Sequence, residues 1–465
     1  MKIKKTIKTD YSIYNPFRFN NCKNEQENLL NELSSTNLFG GIELNRNLFK
    51  PIVAFELLIK QEDIIKKLKI RNTENSKDIF ECLSLFYHDL ATENETVKQI
   101  LKISEYSSIK DLIDSLHCYA EVQHAEIHPT DNCNLNCLGC TYQNQHSISS
   151  IKEQFPLSSM DSLKKINPKT IVIVGGGEPT LYKNLNFTID DFILHLKKAL
   201  PNSHFGMITN GTFLAPGDWL KHLEWIRISI DSASTNRYAQ MRGKNLFDKV
   251  IINLHRYLKS DVPKVGVSFL YSKFNYDEYF DFFLSIFNRV SLKEPDLLHK
   301  LQFHFRPLRH KDNKIDIDHK DYISNVEIDK ISRQIQLYLK KNREIINFLQ
   351  NNTNIYAYLG GNVQPVYSFE RCFYSRVFHI IRPNGDLLPC SWVCDKKEHI
   401  IGNILQDSAI SIALKKIFVT EFINDKCKKE LCLQNHVNYI LDLALNEKIV
   451  LEDYQINELK KDGMF

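Results

Sequence analysis

Six short runs of β-forming residues, each separated from the next by a helix-length segment, constrain the fold of this chain more than any other feature. Parallel neighbouring strands need crossovers of about a dozen residues or more, which helices usually supply. The alternation therefore predicts an α/β fold with a parallel sheet, in which ligands gather at the carboxyl ends of the strands. The runs are His124 to His128, Thr170 to Val174, His204 to Thr209, Trp225 to Ile230, Lys264 to Leu270 and Leu301 to Phe305.

The composition is that of an ordinary globular protein, with 43% hydrophobic and 25% charged residues among 465. A net charge of +4 is too small at this length to indicate a nucleic-acid partner. The lysine-rich start contains no apolar run of signal-peptide length, and no later stretch approaches the roughly 18 apolar residues of a membrane span. We therefore expect a cytoplasmic protein that binds neither nucleic acid nor membrane.

Changes in the local composition and pattern of the sequence predict five segments. Residues 1–120 carry helix-capping patterns and predict a mainly helical N-terminal domain, which precedes the strand-and-helix region of residues 121–310. Residues 311–370 predict a helical connector, and residues 437–465 predict a helical tail. The segment between them, 371–436, holds five of the eleven cysteines, as a small metal-stapled module would.

Three cysteines follow the first predicted strand at the spacing C-x3-C-x2-C: Cys133, Cys137 and Cys140. In a long chain without a secretion signal, metal or redox chemistry is a better explanation of such thiols than a disulfide framework. Three thiolates on one short loop suit a cubane iron–sulfur cluster whose fourth iron stays open to a ligand. The alternatives are a structural zinc ion with a distant fourth ligand, and buried cysteines that bind nothing.

This cysteine spacing resembles the signature of the radical S-adenosylmethionine (SAM) superfamily, and further motifs follow later strands in the order of that family. Gly175–Glu178 follows the second strand and resembles the family's GGE motif, Asn210 follows the third, Ser229 and Asp231 end the fourth, and Asn275 follows the fifth. The resemblance implies a partial (β/α)6 TIM-like barrel. It also implies a [4Fe-4S] cluster that binds SAM, and reductive cleavage of SAM to a 5′-deoxyadenosyl radical.

The resemblance assigns roles to individual residues, with the cysteine triplet as the catalytic cluster ligands. It assigns Glu178, or a carbonyl beside it, to the ammonium group of SAM and Arg242 to the carboxylate. Ser229 and Asp231 are assigned to the ribose hydroxyls. The family's usual aromatic residue before the third cysteine is a glycine here, which leaves Tyr142 as the candidate beside the adenine. The full set of expected SAM contacts is Gly176, Gly177, Glu178, Asn210, Ser229, Asp231, Arg242 and Tyr142.

Three of these residues have local alternatives. Glu178 could cap the amino end of a helix, Arg242 could be a solvated surface charge, and Asn210 with Gly211 could form a plain turn.

A second cysteine group begins with Cys372 and Cys390, which are spaced around Gly385 as C-x12-G-x4-C. The Pro-Asn-Gly-Asp sequence between apolar runs predicts a β-hairpin that brings these two cysteines together. With Cys427 and Cys432 they supply four thiolates, and the pattern resembles the SPASM and twitch domains of many radical SAM enzymes. Five cysteines in this region favour the shorter twitch form, with one auxiliary [4Fe-4S] cluster. Zinc is the competing metal, and the spare Cys394 is a substitute ligand, a ligand to a second incomplete site, a hydrogen-atom donor or a buried thiol.

By analogy with the family, we expect a peptide or protein substrate that is cross-linked, oxidised or epimerised at carbon, and an electron donor such as flavodoxin or ferredoxin. The alternatives are a radical dehydrogenase or epimerase of a small metabolite, and a non-catalytic iron–sulfur or zinc protein that carries electrons. The N-terminal domain has three candidate roles, which are substrate recognition, a dimer surface and a cap on the open barrel.

Overall fold

A computed structural model describes residues 120–140, 142, 153–307, 372, 378–390, 399–409 and 412. Nearly all of the predicted N-terminal domain, the predicted connector and the predicted tail lie outside these residues. So do Cys394, Cys427 and Cys432. The five segments expected from the sequence, with their boundaries, therefore stay predictions.

The described strands, in chain order, are β1 (His124–Ile127), β2 (Thr170–Ile173), β3 (Lys183–Asn184), β4 (Phe187–Thr188), β5 (His204–Thr209), β6 (Trp225–Ser229), β7 (Lys264–Tyr271), β8 (Leu301–Pro307), β9 (Phe378–Ile381), β10 (Asp386–Leu388) and β11 (Gly402–Asn403). The six that the sequence predicts, β1, β2, β5, β6, β7 and β8, are neighbours in that order and pair in parallel. The expected α/β fold with its parallel sheet is confirmed.

The described helices lie in the crossovers between these strands. The α-helices are α1 (Ile189–Ala199), α2 (Thr235–Arg242), α3 (Phe247–Lys259) and α4 (Tyr279–Lys293). Short 3-10 helices span Leu157–Lys165, Pro179–Leu181, Trp219–His222, Tyr276–Glu278 and Pro295–Lys300. In the described part of the chain, no helix combines the length and the hydrophobicity needed to cross a bilayer.

Alternation of side chains along the strands separates the two faces of the sheet. In β6, Ile226 and Ile228 join the apolar core that the helices cover, whereas Arg227 points to the opposite face. On α3, Val250 and Leu254 are one helical turn apart and pack into the same core. Each such buried apolar side chain contributes roughly 1.5–3 kcal/mol. This core fixes the carboxyl ends of the strands, from which the functional loops leave.

The hairpin predicted around Gly385 is present as β9 and β10, which pair antiparallel. In addition, β9 pairs in parallel with β1, so that Phe378 lies opposite His124, and β10 pairs with β11. The result is one nine-stranded sheet in the order β11-β10-β9-β1-β2-β5-β6-β7-β8. The sequence did not predict this pairing, which places the hairpin that leads to Cys390 beside β1, the strand that leads to the cysteine triplet.

Candidate active site

The cysteine loop (residues 131–140) leaves the carboxyl end of β1. Its three cysteines are Cys133, Cys137 and Cys140, and each is partly exposed. Burial raises the pKa of the Cys133 thiol to about 12, against a backbone hydrogen bond from Leu135 that lowers it. A thiolate at Cys133 therefore needs a cation beside it, which a bound metal would supply.

The three thiols of this loop fit the donor set of a cubane iron–sulfur cluster. Among the described residues, no three His, Cys, Asp or Glu side chains are grouped closely enough to hold one metal ion. In a cubane cluster each thiolate binds its own iron, so the three sulfur atoms need not converge on a single point. Three partly exposed thiols on one loop could hold three irons of such a cluster, which would leave its fourth iron for another ligand.

The glycine loop (residues 175–178) follows β2 and is bonded directly to the start of the cysteine loop. Gly177 N–H donates to Thr130 O at 2.7 Å, and Glu178 N–H donates to Asn132 O at 2.7 Å. A Cβ atom on Gly177 would lie 2.1 Å from Asn132 O, which is a backbone clash. Glycine is therefore required here for the contact between the two loops.

Glu178 is buried and its carboxylate joins the glycine loop to the end of β5. Its Oε1 accepts hydrogen bonds from Thr180 N–H (3.1 Å), the Thr180 hydroxyl (2.7 Å) and the Thr209 hydroxyl (2.6 Å), and Oε2 accepts one from Asn210 N–H (2.7 Å). Burial raises the pKa of Glu178, although these four bonds oppose that shift. The alternative of a helix cap is present, since Glu178 is the N-cap of Pro179–Leu181. Its contact with SAM stays a prediction.

Asn210 ties the loop after β5 to the cysteine loop. Its Nδ2 donates to Asn134 Oδ1 at 2.9 Å, and its Oδ1 accepts from the backbone and the hydroxyl of Thr212 at 2.9 and 2.7 Å. Asn134 Nδ2 in turn donates to the Thr212 hydroxyl at 2.8 Å. The three side chains form a closed ring of hydrogen bonds, so Asn210 supports the geometry of the cysteine loop.

The two residues expected at the ribose differ in how far their side chains are engaged. Ser229 is partly exposed, and the Ser268 hydroxyl lies 3.4 Å from its Oγ. Asp231 is buried, its backbone has a positive φ of 63°, and its Oδ1 accepts from Leu270 N–H at 2.8 Å. Asn275, fully buried, donates to Asp231 O at 2.8 Å and holds that unusual backbone.

Arg242 is buried, contrary to the alternative of a surface charge. Its Nη2 forms an ion pair with Asp231 Oδ2, and its Nη1 donates to Cys137 Sγ at 3.5 Å. Burial opposes the charge, but Asp231 and Cys137 outweigh it and hold the pKa of Arg242 above its usual range. Its Nε is buried and has no hydrogen-bond partner among the described residues, which suits the expected carboxylate of SAM.

The carboxyl end of α2 also holds the cysteine loop through backbone bonds. Asn136 N–H donates to Arg242 O at 3.2 Å, and Leu138 N–H donates to Met241 O at 2.9 Å. Gly243 ends the helix with a φ of +76°, and a Cβ atom there would lie 2.5 Å from Asn136 O. The middle cysteine is thus flanked on both sides by bonds to one helix end.

His128, which the sequence analysis did not select, lies between the cysteine loop and the glycine loop. It is fully buried, its ring meets that of Tyr142 edge-on at 4.8 Å, and its Nε2 would lie 2.5 Å from a Cβ atom on Gly175. Neither ring nitrogen has a hydrogen-bond partner among the described residues. Burial, together with the nearby positive charge of Arg382, holds the pKa of His128 well below its usual value.

This buried histidine predicts a loss of stability in acid. Unfolded His128 binds a proton below about pH 6.5, whereas folded His128 stays neutral, so stability is lost as the pH falls. From pH 6.5 to 5.5 this should lower the free energy of unfolding by about 1 kcal/mol. Urea denaturation of His128→Gln at pH 7.5 and 5.5 should show a smaller difference than the wild type. His195→Gln, on the exposed face of α1, is the control, and equal pH differences in all three proteins would contradict the prediction.

The hairpin beside β1 also contacts the cysteine loop. Arg382, the residue after β9, places Nη2 3.3 Å from Oδ2 of the buried Asp131. Cys390 follows β10 and is partly exposed, as is Cys372. The Asp131–Arg382 pair could not be predicted from local sequence signals, because its members are 251 residues apart.

Comparisons with known proteins agree with these motifs. Residues 127–284 match the sequence model of the Radical SAM superfamily. GTP 3′,8-cyclase of Clostridium perfringens (strain SM101 / Type A) is 24% identical over 190 residues, which cover 38% of this chain and 56% of the cyclase. GTP 3′,8-cyclase of Haemophilus influenzae (strain PittEE) is 30% identical over 164 residues, which cover 33% of this chain and 47% of the cyclase. The chain therefore spans about half the length of these curated relatives.

Among solved structures, Streptococcus suis SuiB bound to S-adenosylmethionine is similar with a TM-score of 0.44 and 14% identity. The similarity covers 78% of this chain and 80% of SuiB.

Proposed function

We propose that this chain cleaves SAM reductively and abstracts hydrogen from a substrate carbon, because residues 127–284 form a radical SAM domain. The observation that carries the proposal is the loop of three partly exposed thiols, Cys133, Cys137 and Cys140, held between the glycine loop and the carboxyl end of α2. When bound, a [4Fe-4S] cluster and SAM would supply the hard chemistry, a 5′-deoxyadenosyl radical.

The residues of this chain would hold and orient those groups. The thiols bind three irons, while the hydrogen bonds of Glu178 and Asn210 fix the loop that carries them. The buried Nε of Arg242, which has no partner within the described part of the chain, offers a donor to a carboxylate beside Cys137. Gly176, Gly177 and Ser229 line up at the same carboxyl edge of the sheet, where SAM would lie.

A second cluster belongs to the same proposal. Cys372, Cys390, Cys427 and Cys432 would bind one auxiliary [4Fe-4S] cluster, with zinc as the competing metal. Support comes from the hairpin between Cys372 and Cys390, whose strands β9 and β10 pair antiparallel. Because β10 runs back antiparallel to β9, Cys390 follows β10 toward the end of the hairpin at which the chain enters β9 from Cys372, so one cluster could take both thiols.

For the substrate, we propose a peptide or protein that is modified at carbon by cross-linking, oxidation or epimerisation. This rests on the resemblance of the two cysteine groups to enzymes that modify ribosomally made peptides. Flavodoxin or ferredoxin as electron donor, and a cytoplasmic location, rest on the sequence alone.

A small-molecule substrate is the second candidate, because the curated relatives that share the radical SAM domain are named GTP 3′,8-cyclases. The matched region leaves about half of each cyclase uncovered. The name therefore suggests GTP as a probe, to be tested beside peptides.

We expect protein reconstituted anaerobically with iron and sulfide to form 5′-deoxyadenosine when SAM and dithionite are added. Chromatography and mass spectrometry would measure the product. Its absence from well-reconstituted protein would favour the non-catalytic carrier. GTP and synthetic peptides encoded by short reading frames beside the gene should then be added in separate reactions. Only a member of the true substrate class should accelerate the formation of 5′-deoxyadenosine. Acceleration by GTP alone would overturn the peptide proposal.

A further inference from the structure

The guanidinium of Arg242 lies between a loop sulfur and a buried carboxylate. One of its terminal nitrogens donates to Cys137 Sγ at 3.5 Å, and the other pairs with Asp231 Oδ2. The side chains of Arg242 and Asp231 are only 8% and 5% exposed, so water screens neither charge well. The positive group is thus in contact with the sulfur, and the negative group lies behind it.

This order of charges has an electrostatic consequence for anything bound to Cys137. A hydrogen bond from a cation withdraws electron density from a ligating sulfur, and such bonds help to set the reduction potential of an iron–sulfur cluster. One-electron reduction makes a cluster more negative, so a neighbouring cation favours the reduced state. A carboxylate behind the cation opposes that effect, although more weakly because it is farther away.

We propose that Arg242 raises the reduction potential of the loop cluster by donating to Cys137 Sγ, and that Asp231 limits the increase. The inference rests on the proposed function only in taking Cys137 as a cluster ligand. Arg242 is then a positioning and electrostatic group for the cluster, which is separate from its expected contact with the SAM carboxylate. The electron comes from a low-potential donor, and no covalent bond forms or breaks in this step.

The surroundings of Asp231 explain why the pair keeps this arrangement. Asp231 Oδ1 is held by Leu270 N–H, and the backbone of Asp231 is held by Asn275. Arg242 is fixed at the end of α2, whose last turn is bonded to the cysteine loop on both sides of Cys137. Neither charge can move away without breaking buried hydrogen bonds, so the distance between cation and sulfur is set by the fold.

The test is a redox titration of reconstituted protein without SAM, followed by electron paramagnetic resonance. The loop signal is the one that Cys137→Ala removes. At the wild-type midpoint, Arg242→Gln should lower the ratio of reduced to oxidised cluster about tenfold, which corresponds to about 59 mV for one electron. Asp231→Asn should shift the ratio in the opposite direction. Arg237→Gln, on the same helix but paired with Asp277 at the surface, should leave the ratio unchanged.

The proposal would be overturned if the reduction potential of the loop cluster in Arg242→Gln stayed at the wild-type value while equilibrium dialysis showed only weaker SAM binding. So would a downward shift, or no shift, in Asp231→Asn. If Arg242→Gln fails to hold its cluster, Asp231→Asn and Arg242→Lys provide the test. Asp231→Asn should raise the reduction potential, and Arg242→Lys should lower it by less than Arg242→Gln would. Since no SAM is present, failure to cleave SAM would count against the proposed function and leave this measurement intact.

Discussion

Replacing Cys137 with alanine should reduce 5′-deoxyadenosine formation to the level seen without enzyme, because a cluster that loses one of three thiolates cannot be held with its fourth iron open. The protein should still keep the visible absorption of the auxiliary cluster. Cys390→Ala should lose about half of the iron, from the auxiliary site, and keep the cluster of the cysteine loop. Product formation by chromatography, together with iron analysis, measures both effects.

The matched control for Cys137→Ala is Leu138→Ala, since Leu138 is the next residue in the same loop and its side chain is 47% exposed. This variant should keep the wild-type iron content. Loss of all iron from both Cys137→Ala and Cys390→Ala would contradict two independent clusters. Product formation at the wild-type rate by Cys137→Ala would contradict the role of the cysteine loop.

The parallel sheet and the loops at its carboxyl edge could be predicted because both depend on local signals. The strand from His204 to Thr209 has the predicted bounds, and the hairpin around Gly385 follows from its turn sequence. The positions of the functional loops follow from strand ends, since parallel strands end at one edge of the sheet.

Contacts between distant residues could not be predicted in the same way. The pairing of β9 with β1 joins strands that lie far apart in the sequence, and the hydrophobic pattern of β9 suits many partners. The burial of Arg242 depends on its ion pair with Asp231. A single arginine in the sequence does not reveal which carboxylate it will pair with. Glu178 was expected to face SAM, and nothing in the sequence indicates that four donors from two loops would converge on its carboxylate.

Glu178→Ala should destabilise the protein by about 3 to 5 kcal/mol, because several buried donors would lose their acceptor at about 1–3 kcal/mol each. The loss should be visible in the protein without iron or SAM, since the hydrogen bonds join the glycine loop to the end of β5 within the chain. Urea denaturation followed by circular dichroism measures the free energy of unfolding. The free energy of unfolding of Glu178→Gln should lie between those of the wild type and Glu178→Ala, because an amide keeps one acceptor oxygen but presents an N–H group to donors.

The control is Glu224→Ala, whose carboxylate is 47% exposed and pairs with His204 at the surface. Exposed pairs of this kind contribute about 0–1 kcal/mol, so this variant should stay close to the wild type. If Glu178→Ala cost no more than Glu224→Ala, the carboxylate would not be a structural link, and its buried position would have to be explained by contact with SAM alone. SAM binding would then fall in Glu178→Gln without any change in stability, which separates the two roles of this residue.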